Sequence, residues 1–237
     1  MDISIKRISA SSLKLYQDCP YCWKLKYVYD LLQPEADALI IGTKVHNGIE
    51  MFHKGISPAH IIETVKREIF AIEDKKKAVA RFKIIRECLE IYFRHPLKDD
   101  TIECEKRFNL KMPQCLPLFG FIDRIVPKGI TEYKTTSVDY TQKDIENVQS
   151  KLYSYVYHRL NGTLPLVTYY VINKKKTRKK NYKPQILTIQ YGDEVINEVE
   201  SLCIKFYQDI QNGNFEPNKI KHWSPFKNLC PHAYVTK

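Results

Sequence analysis

Gly120-Phe-Ile-Asp123-Arg124-Ile-Val-Pro127-Lys-Gly129-Ile-Thr-Glu132-Tyr133-Lys134 decides how this chain is read. Phe119, Phe121, Ile122, Ile125 and Val126 make the first half a core strand. A charge inside such a strand needs a partner or a metal, because an unpaired buried carboxylate is costly. Side chains alternate along a strand, so Glu132 and Lys134 share one face and Tyr133 takes the other. Pro127-Lys128-Gly129 fits a short hairpin connection, with a bulge at Gly129 setting a register that brings Asp123 to Glu132. Two carboxylates and a lysine so arranged suit metal-assisted phosphodiester hydrolysis. The acids hold a hard, oxygen-ligated cation, and the lysine serves the attacking water and offsets charge on the phosphate.

Working outward, 117–126 and 130–136 read as two strands, and 101–110 as a third before them. The helical spacing of Ile84, Ile85, Cys88, Leu89 and Tyr92 marks 77–94 as helix. Further helices are expected over 11–30, capped at Ser11 or Ser12 and interrupted at Cys19-Pro20, and over 40–54 and 58–72. After the hairpin come a helix over 141–161, strands over 165–173 and 184–191, and a helix over 193–212. The tail from 214 reads as irregular. The order implies an α/β fold with a mixed central β-sheet flanked by helices. A single domain is expected, with a mainly helical portion at 1–96, an α/β catalytic core at 97–213, and a tail at 214–237 that packs back on the N-terminal helix through Trp223, Phe226 and Leu229.

The chain of 237 residues carries a net charge of +11, which favours a polyanionic partner, nucleic acid first. It has no apolar run near the length of a membrane span and no signal-peptide core at its start, so a cytoplasmic protein without a membrane partner is expected. Seven cysteines, an odd number at irregular spacing, argue against a disulfide framework. His46 and Glu50 stand at i and i+4 on one helix face, as do Gln149 and Tyr153. Lys174, Lys175, Lys176, Arg178, Lys179 and Lys180 crowd a loop between two strands, a pattern suited to gripping phosphates without reading bases.

These elements, in this order, resemble the PD-(D/E)xK nuclease superfamily, and within it the RecB-like branch that includes CRISPR-associated exonucleases. The likeness rests on Ile8-Ser-Ala-Ser11 leading to Cys19-Pro20, Gly42…His46…Glu50, Gly120-Phe-Ile-Asp123-Arg124, Glu132-Tyr133-Lys134 and Gln149-x3-Tyr153. The resemblance implies a restriction-endonuclease-like core. It implies metal ligation by His46, Asp123, Glu132 and the Tyr133 carbonyl, catalysis by Lys134, and a DNA path lined by Gln149 and Tyr153. One or two Mg²⁺ or Mn²⁺ ions are the implied cofactor. Single- or double-stranded DNA is the implied substrate, and a helicase or recombination protein the implied partner, in a bacterial or phage-infected cell. The activity implied is a deoxyribonuclease, an exonuclease first, serving DNA repair, recombination or phage-type DNA processing. The alternatives are a site-specific endonuclease or a binding subunit with an idle nuclease fold.

Ile122 stands where the family name has proline, a departure common in this branch. Many relatives also hold an iron–sulfur cluster, with one cysteine from an N-terminal Cys-Pro and three from a C-terminal C-x2-C-x5-C. Cys19 and Cys230 match the first and last ligands, but Lys221 and Ser224 occupy the middle two positions. Lysine and serine replace thiolates poorly, and Cys22 brings the count only to three, so no iron–sulfur cluster is expected.

Overall fold

The computed structural model describes residues 5–31, 36–72, 74–218, 222–223, 226, 229–231 and 233–234. Five helices come first: α1 (Ala10–Asp18), α2 (Pro20–Tyr27), α3 (Asp37–His53), α4 (Pro58–Ile72) and α5 (Lys75–Arg94). Three strands follow, β1 (Glu103–Leu110), β2 (Leu118–Val126) and β3 (Gly129–Thr136). After them come α6 (Gln142–Ile145), α7 (Val148–Asn161), β4 (Leu166–Asn173), β5 (Gln185–Ile189) and α8 (Glu194–Gln211).

The five strands form one mixed sheet in the order β1-β2-β3-β4-β5. β3 and β4 run parallel; every other pair is antiparallel. The parallel pair is joined by the crossover through α7, as a parallel connection requires. One hydrophobic cluster gathers Leu13, Trp23, Ile130, Tyr169 and Val171 with Val156 and Phe206 of α7 and α8. A second gathers Tyr133, Tyr170 and Ile172 with α3, α4 and α5. The alternation of Tyr169 and Tyr170, and of Val171 and Ile172, between these clusters shows β4 covered on both faces, as an inner strand must be.

Several local expectations are corrected. The α1 cap is Ser9, whose side chain accepts from the Ser12 N–H, rather than Ser11 or Ser12. The helix expected over 141–161 breaks at 146–147, where Asn147 caps α7 by accepting from the Gln149 and Ser150 N–H groups. Asn has the side chain to start a helix there, and Ser150 completes the box by accepting from the Asn147 N–H. α7 ends at Gly162, whose φ of 76° favours glycine. The tail is not wholly irregular: His222–Trp223 (β6) and Ala233–Tyr234 (β7) pair in parallel.

The hairpin is tighter than expected. Val126 pairs with Gly129 and Ile125 with Ile130, so the loop is Pro127-Lys128 alone, without the anticipated bulge. Gly129 serves another purpose: a Cβ there would overlap the Leu166 carbonyl, and glycine lets β4 approach β3 closely.

In the tail, Phe226 is buried against Cys19, Cys22 and Leu25. Asn218 also donates to the Gln17 and Asp18 carbonyls at the end of α1. Leu229 is 53% exposed. The Trp223 side chain, Lys221 and Ser224 lie outside the described residues.

Candidate active site

The β2–β3 ladder runs from Val126↔Gly129 to Arg124↔Thr131. The next step in that register would set Asp123 against Glu132. There the strands part, and the Asp123 side chain closes the gap: its Oδ2 accepts from the Tyr133 N–H at 2.8 Å. The expected meeting of the two motifs therefore occurs through a splayed ladder. From α3, His46 brings Nδ1 within 3.4 Å of Asp123 Oδ2.

Glu132 and Lys134 share a face, as strand alternation requires. Lys134 Nζ donates to Glu132 Oε1 at 2.6 Å and to Gln149 Oε1 at 2.8 Å. Gln149 Nε2 donates to the same Glu132 oxygen at 2.9 Å and to the Tyr153 hydroxyl at 3.2 Å. Gln149 and Tyr153 are held by the start of α7, which the Asn147 cap aims at the strand. Glu132 is 3% exposed, yet its Oε2 has no hydrogen-bond partner among the described residues.

Sequence reasoning missed Glu105. In the β1–β2 ladder, Cys104 pairs with Arg124 and Lys106 with Ile122, so Glu105 falls opposite Asp123. Its backbone leaves the strand region, with φ at 49°. A non-glycine residue held there costs about 1 kcal/mol or more, a strain that tends to gather at functional sites. One ligating atom each from His46, Glu105 and Asp123 fits within 4.8 Å. Glu132 is not part of that trio and is tied instead to Lys134 and Gln149. The signal in the sequence was an acid inside a strand, but its register against Asp123 depends on the 111–117 connection.

The electrostatics follow from packing acids together. Burial, then the Asp123 charge, push the Glu105 carboxyl up to about 7. Glu132 is raised by burial first and Asp123 second, against the pull of Lys134. Burial alone would lower Lys134, but the Glu132 carboxylate outweighs it and holds the ammonium firmly protonated. Burial also works against His46, and Asp123 outweighs it, so His46 is raised. Three acids in this space are a poor arrangement without a cation, and the unpartnered Glu132 oxygen is a place for one. Carboxylate oxygens with one imidazole are a donor set that suits a divalent cation.

The site opens into a cleft of about 1490 Å³ whose lining includes Asp123, Lys134, Gln149 and Tyr153. Lys6, Arg7, Lys14 and Lys151 stand on its walls, with Asp18, Asp144 and Glu198 among the acids there. Lys14 and Lys151 are paired with Asp18 and Glu198. Arg7 lies 3.9 Å over the Phe119 ring, and Phe121 beside it is 43% exposed. The loop Lys174–Lys180 is not in the cleft lining. In it, Lys176 pairs with Asp139 and Arg178 with Glu87, while Lys175, Lys179 and Lys180 are exposed.

Tyr133 faces away from the cleft into a buried polar network. Arg124, fully buried, donates through Nε to Thr101 Oγ1 at 2.8 Å and through Nη2 to the Asp99 carbonyl. Thr101 meets His53 Nδ1 at 2.9 Å, and His53 Nε2 meets the Tyr92 hydroxyl at 2.5 Å and that of Tyr133 at 3.2 Å. This network fixes β2 and β3 from behind.

A mixed five-stranded sheet flanked by helices, with two acids and a lysine where β2 and β3 part, defines a nuclease fold. A family model of the PD-(D/E)XK nuclease superfamily matches residues 7–233, and the chain belongs to that superfamily. Its fold is similar to a crystal structure from Eubacterium rectale bearing the name "Putative exonuclease", with a TM-score of 0.63 and 14% identity, covering 98% of this chain and 90% of that one. No curated protein matches the sequence. The family implies a nucleic-acid substrate and a divalent metal. Among the described residues, no helix is long and apolar enough to cross a membrane.

Proposed function

We propose that this nuclease hydrolyses DNA phosphodiester bonds with Mg²⁺ or Mn²⁺, working from strand ends, as part of DNA repair, recombination or phage-type DNA processing. The observation that carries the reading is the bonded set Glu132–Lys134–Gln149 beside the Asp123–Glu105–His46 trio, with Asp123, Lys134 and Gln149 lining the cleft. Asp123, Glu105 and His46 are the proposed ligands. Glu132 contributes its unpartnered oxygen, and the Tyr133 carbonyl is a further donor. A bound cation would polarise the phosphate and acidify a ligated water. The chain's own part is positioning. The Tyr133 N–H and His46 aim the Asp123 carboxylate, and Gln149 holds the Lys134 ammonium. That ammonium orients the attacking water and offsets charge growing on the phosphate.

Lys6 and Arg7 would contact phosphates, and exposed Phe121 offers a face for an unstacked base. The basic loop, through Lys174, Lys175, Lys176, Arg178, Lys179 and Lys180, is proposed as a second phosphate contact outside the cleft. Lys134→Ala should lower cleavage by about 10²–10³-fold, the cost of one preorganised electrostatic donor, while DNA affinity stays near wild type. Full activity in Lys134→Ala with saturating metal would remove Lys134 from the catalytic set.

A further inference from the structure

The cysteines fall into two kinds. Cys88 and Cys203 sit in separate hydrophobic clusters, and burial pushes each thiol up to about 12, as expected of sulfur used as packing. Cys19, Cys22 and Cys230 come together from opposite ends of the chain. Their Sγ atoms all lie within 4.8 Å of one another, and the residues are 0%, 0% and 2% exposed. Cys19 caps α2, and the Cys22 N–H donates to its sulfur at 3.5 Å, a contact that a metal-bound thiolate accepts. Leu25 and Phe226 pack beside the three.

The sulfur spacing decides what such a set can hold. With Zn–S bonds of about 2.3 Å at tetrahedral angles, neighbouring sulfurs stand about 3.8 Å apart. Cys19 and Cys230 already have that separation, at 3.8 Å. Both [2Fe–2S] and [4Fe–4S] clusters call for four protein ligands, and a [4Fe–4S] cluster binds each thiolate to a different iron, which sets the sulfurs wider apart than one ion does. At 3.8 Å the Cys19–Cys230 spacing is that of two ligands on one ion, and in the sequence Lys221 and Ser224 occupy the positions of two of the four cysteines a cluster would need. A single ion fits; the cluster does not.

We propose that Cys19, Cys22 and Cys230 bind one Zn²⁺ ion as a structural site that staples the tail to α1 and α2. Cys19-x2-Cys22 supplies two ligands from the start of a helix, a common zinc-binding arrangement, and Cys230 supplies the third. The three thiols lose their protons to solvent as the ion binds. Among the described residues no fourth His, Cys, Asp or Glu joins the trio, so the fourth position takes water or a donor from outside them. Residues of α1, including Ser12, Lys14 and Gln17, line the nuclease cleft. The ion would thus brace a cleft wall without touching the acids, and its existence does not depend on the catalytic reading.

The full chain, expressed with zinc supplementation and purified without chelators, should hold about one zinc per chain by elemental analysis, as a site of this class requires. Co²⁺ in its place should give thiolate-to-cobalt charge-transfer bands and the visible bands of a tetrahedral ion. Cys22→Ser and Cys230→Ser should lose the zinc, and Cys115→Ser should keep it. Should the serine variants fail to fold, the wild-type metal content and cobalt spectrum decide alone. Wild-type protein without zinc, protein carrying iron with acid-labile sulfide, or a Cys19–Cys230 disulfide found by mass spectrometry would each overturn the proposal.

Discussion

Glu105, Asp123 and Glu132 come together because three neighbouring strands are held in register; Cys19, Cys22 and Cys230 come together because the two ends of the chain are folded against each other. The first group is hard and acidic, and reaches the cleft through Asp123. The second is soft, buried and ringed by apolar side chains. In the first, three carboxylates crowd one another, an arrangement that the proposed cation would relieve. In the second, three sulfurs pack among apolar side chains, where the proposed zinc would be the charge they hold. The difference teaches that the proposed catalytic site lies where the β2–β3 ladder parts, whereas the proposed zinc site lies where segments distant in sequence meet.

That contrast can be broken most severely by cross-reactivity. Saturating Mg²⁺ should stabilise the wild-type chain by about 2.7 kcal/mol at a hundredfold excess over its Kd, read as a rise in Tm. Asp123→Asn should abolish that rise, and with one of the crowded charges gone the metal-free variant should melt no lower than wild type. A normal Mg²⁺ response in Asp123→Asn would detach the acids from metal binding. Cys22→Ser should melt lower than wild type yet keep the full Mg²⁺ response, since sites without shared partners act additively. Loss of that response would merge the two regions into one.

A smaller effect tests the support behind the strands. Burial first, and the Arg124 charge second, hold His53 down to about 4. The unfolded chain takes up a proton near the ordinary value of 6.5, which the folded chain refuses. The stability that His53 contributes is therefore present above pH 6.5 and is lost as pH falls through about 4. His53 is only half-buried, so solvent screening reduces this to about 1–2 kcal/mol. Denaturant midpoints across that window should fall more steeply in wild type than in His53→Gln, and parallel slopes would contradict the assignment.

The smallest expected effect concerns the basic loop. Replacing Lys174, Lys175, Lys179 and Lys180 by Gln should flatten the salt dependence of duplex binding by about 0.9 for each phosphate that the loop no longer neutralises. An unchanged slope would make the loop a solvated surface.

Much of the site was legible in the sequence because its signals are local. Glu132-x-Lys134 follows from strand alternation, and Gln149-x3-Tyr153 from helical spacing on an element that points back at the sheet. Asp123 stood out as an acid among Phe121, Ile122 and Ile125. What was not legible depends on long-range register. Glu105 joins Asp123 only through the β1–β2 pairing, which the 111–117 connection sets. The bulge expected at Gly129 was wrong because glycine's reason for being there lies across the sheet, at Leu166. The break at Asn147 was hidden within a continuous helical pattern, where a capping side chain overrode periodicity. The meeting of Cys22 with Cys19 and Cys230 was open as a possibility, but the spacing of the sulfurs needed the fold.

The central claim is tested most directly by digesting end-labelled single- and double-stranded DNA with wild-type protein and Asp123→Ala, in Mg²⁺ and in Mn²⁺, and following product sizes over time. The account predicts progressive loss of nucleotides from the ends by wild type and none by Asp123→Ala. No turnover of any DNA by wild type, or equal cleavage by Asp123→Ala, would contradict it; discrete internal fragments would keep the nuclease and refute its end-wise action.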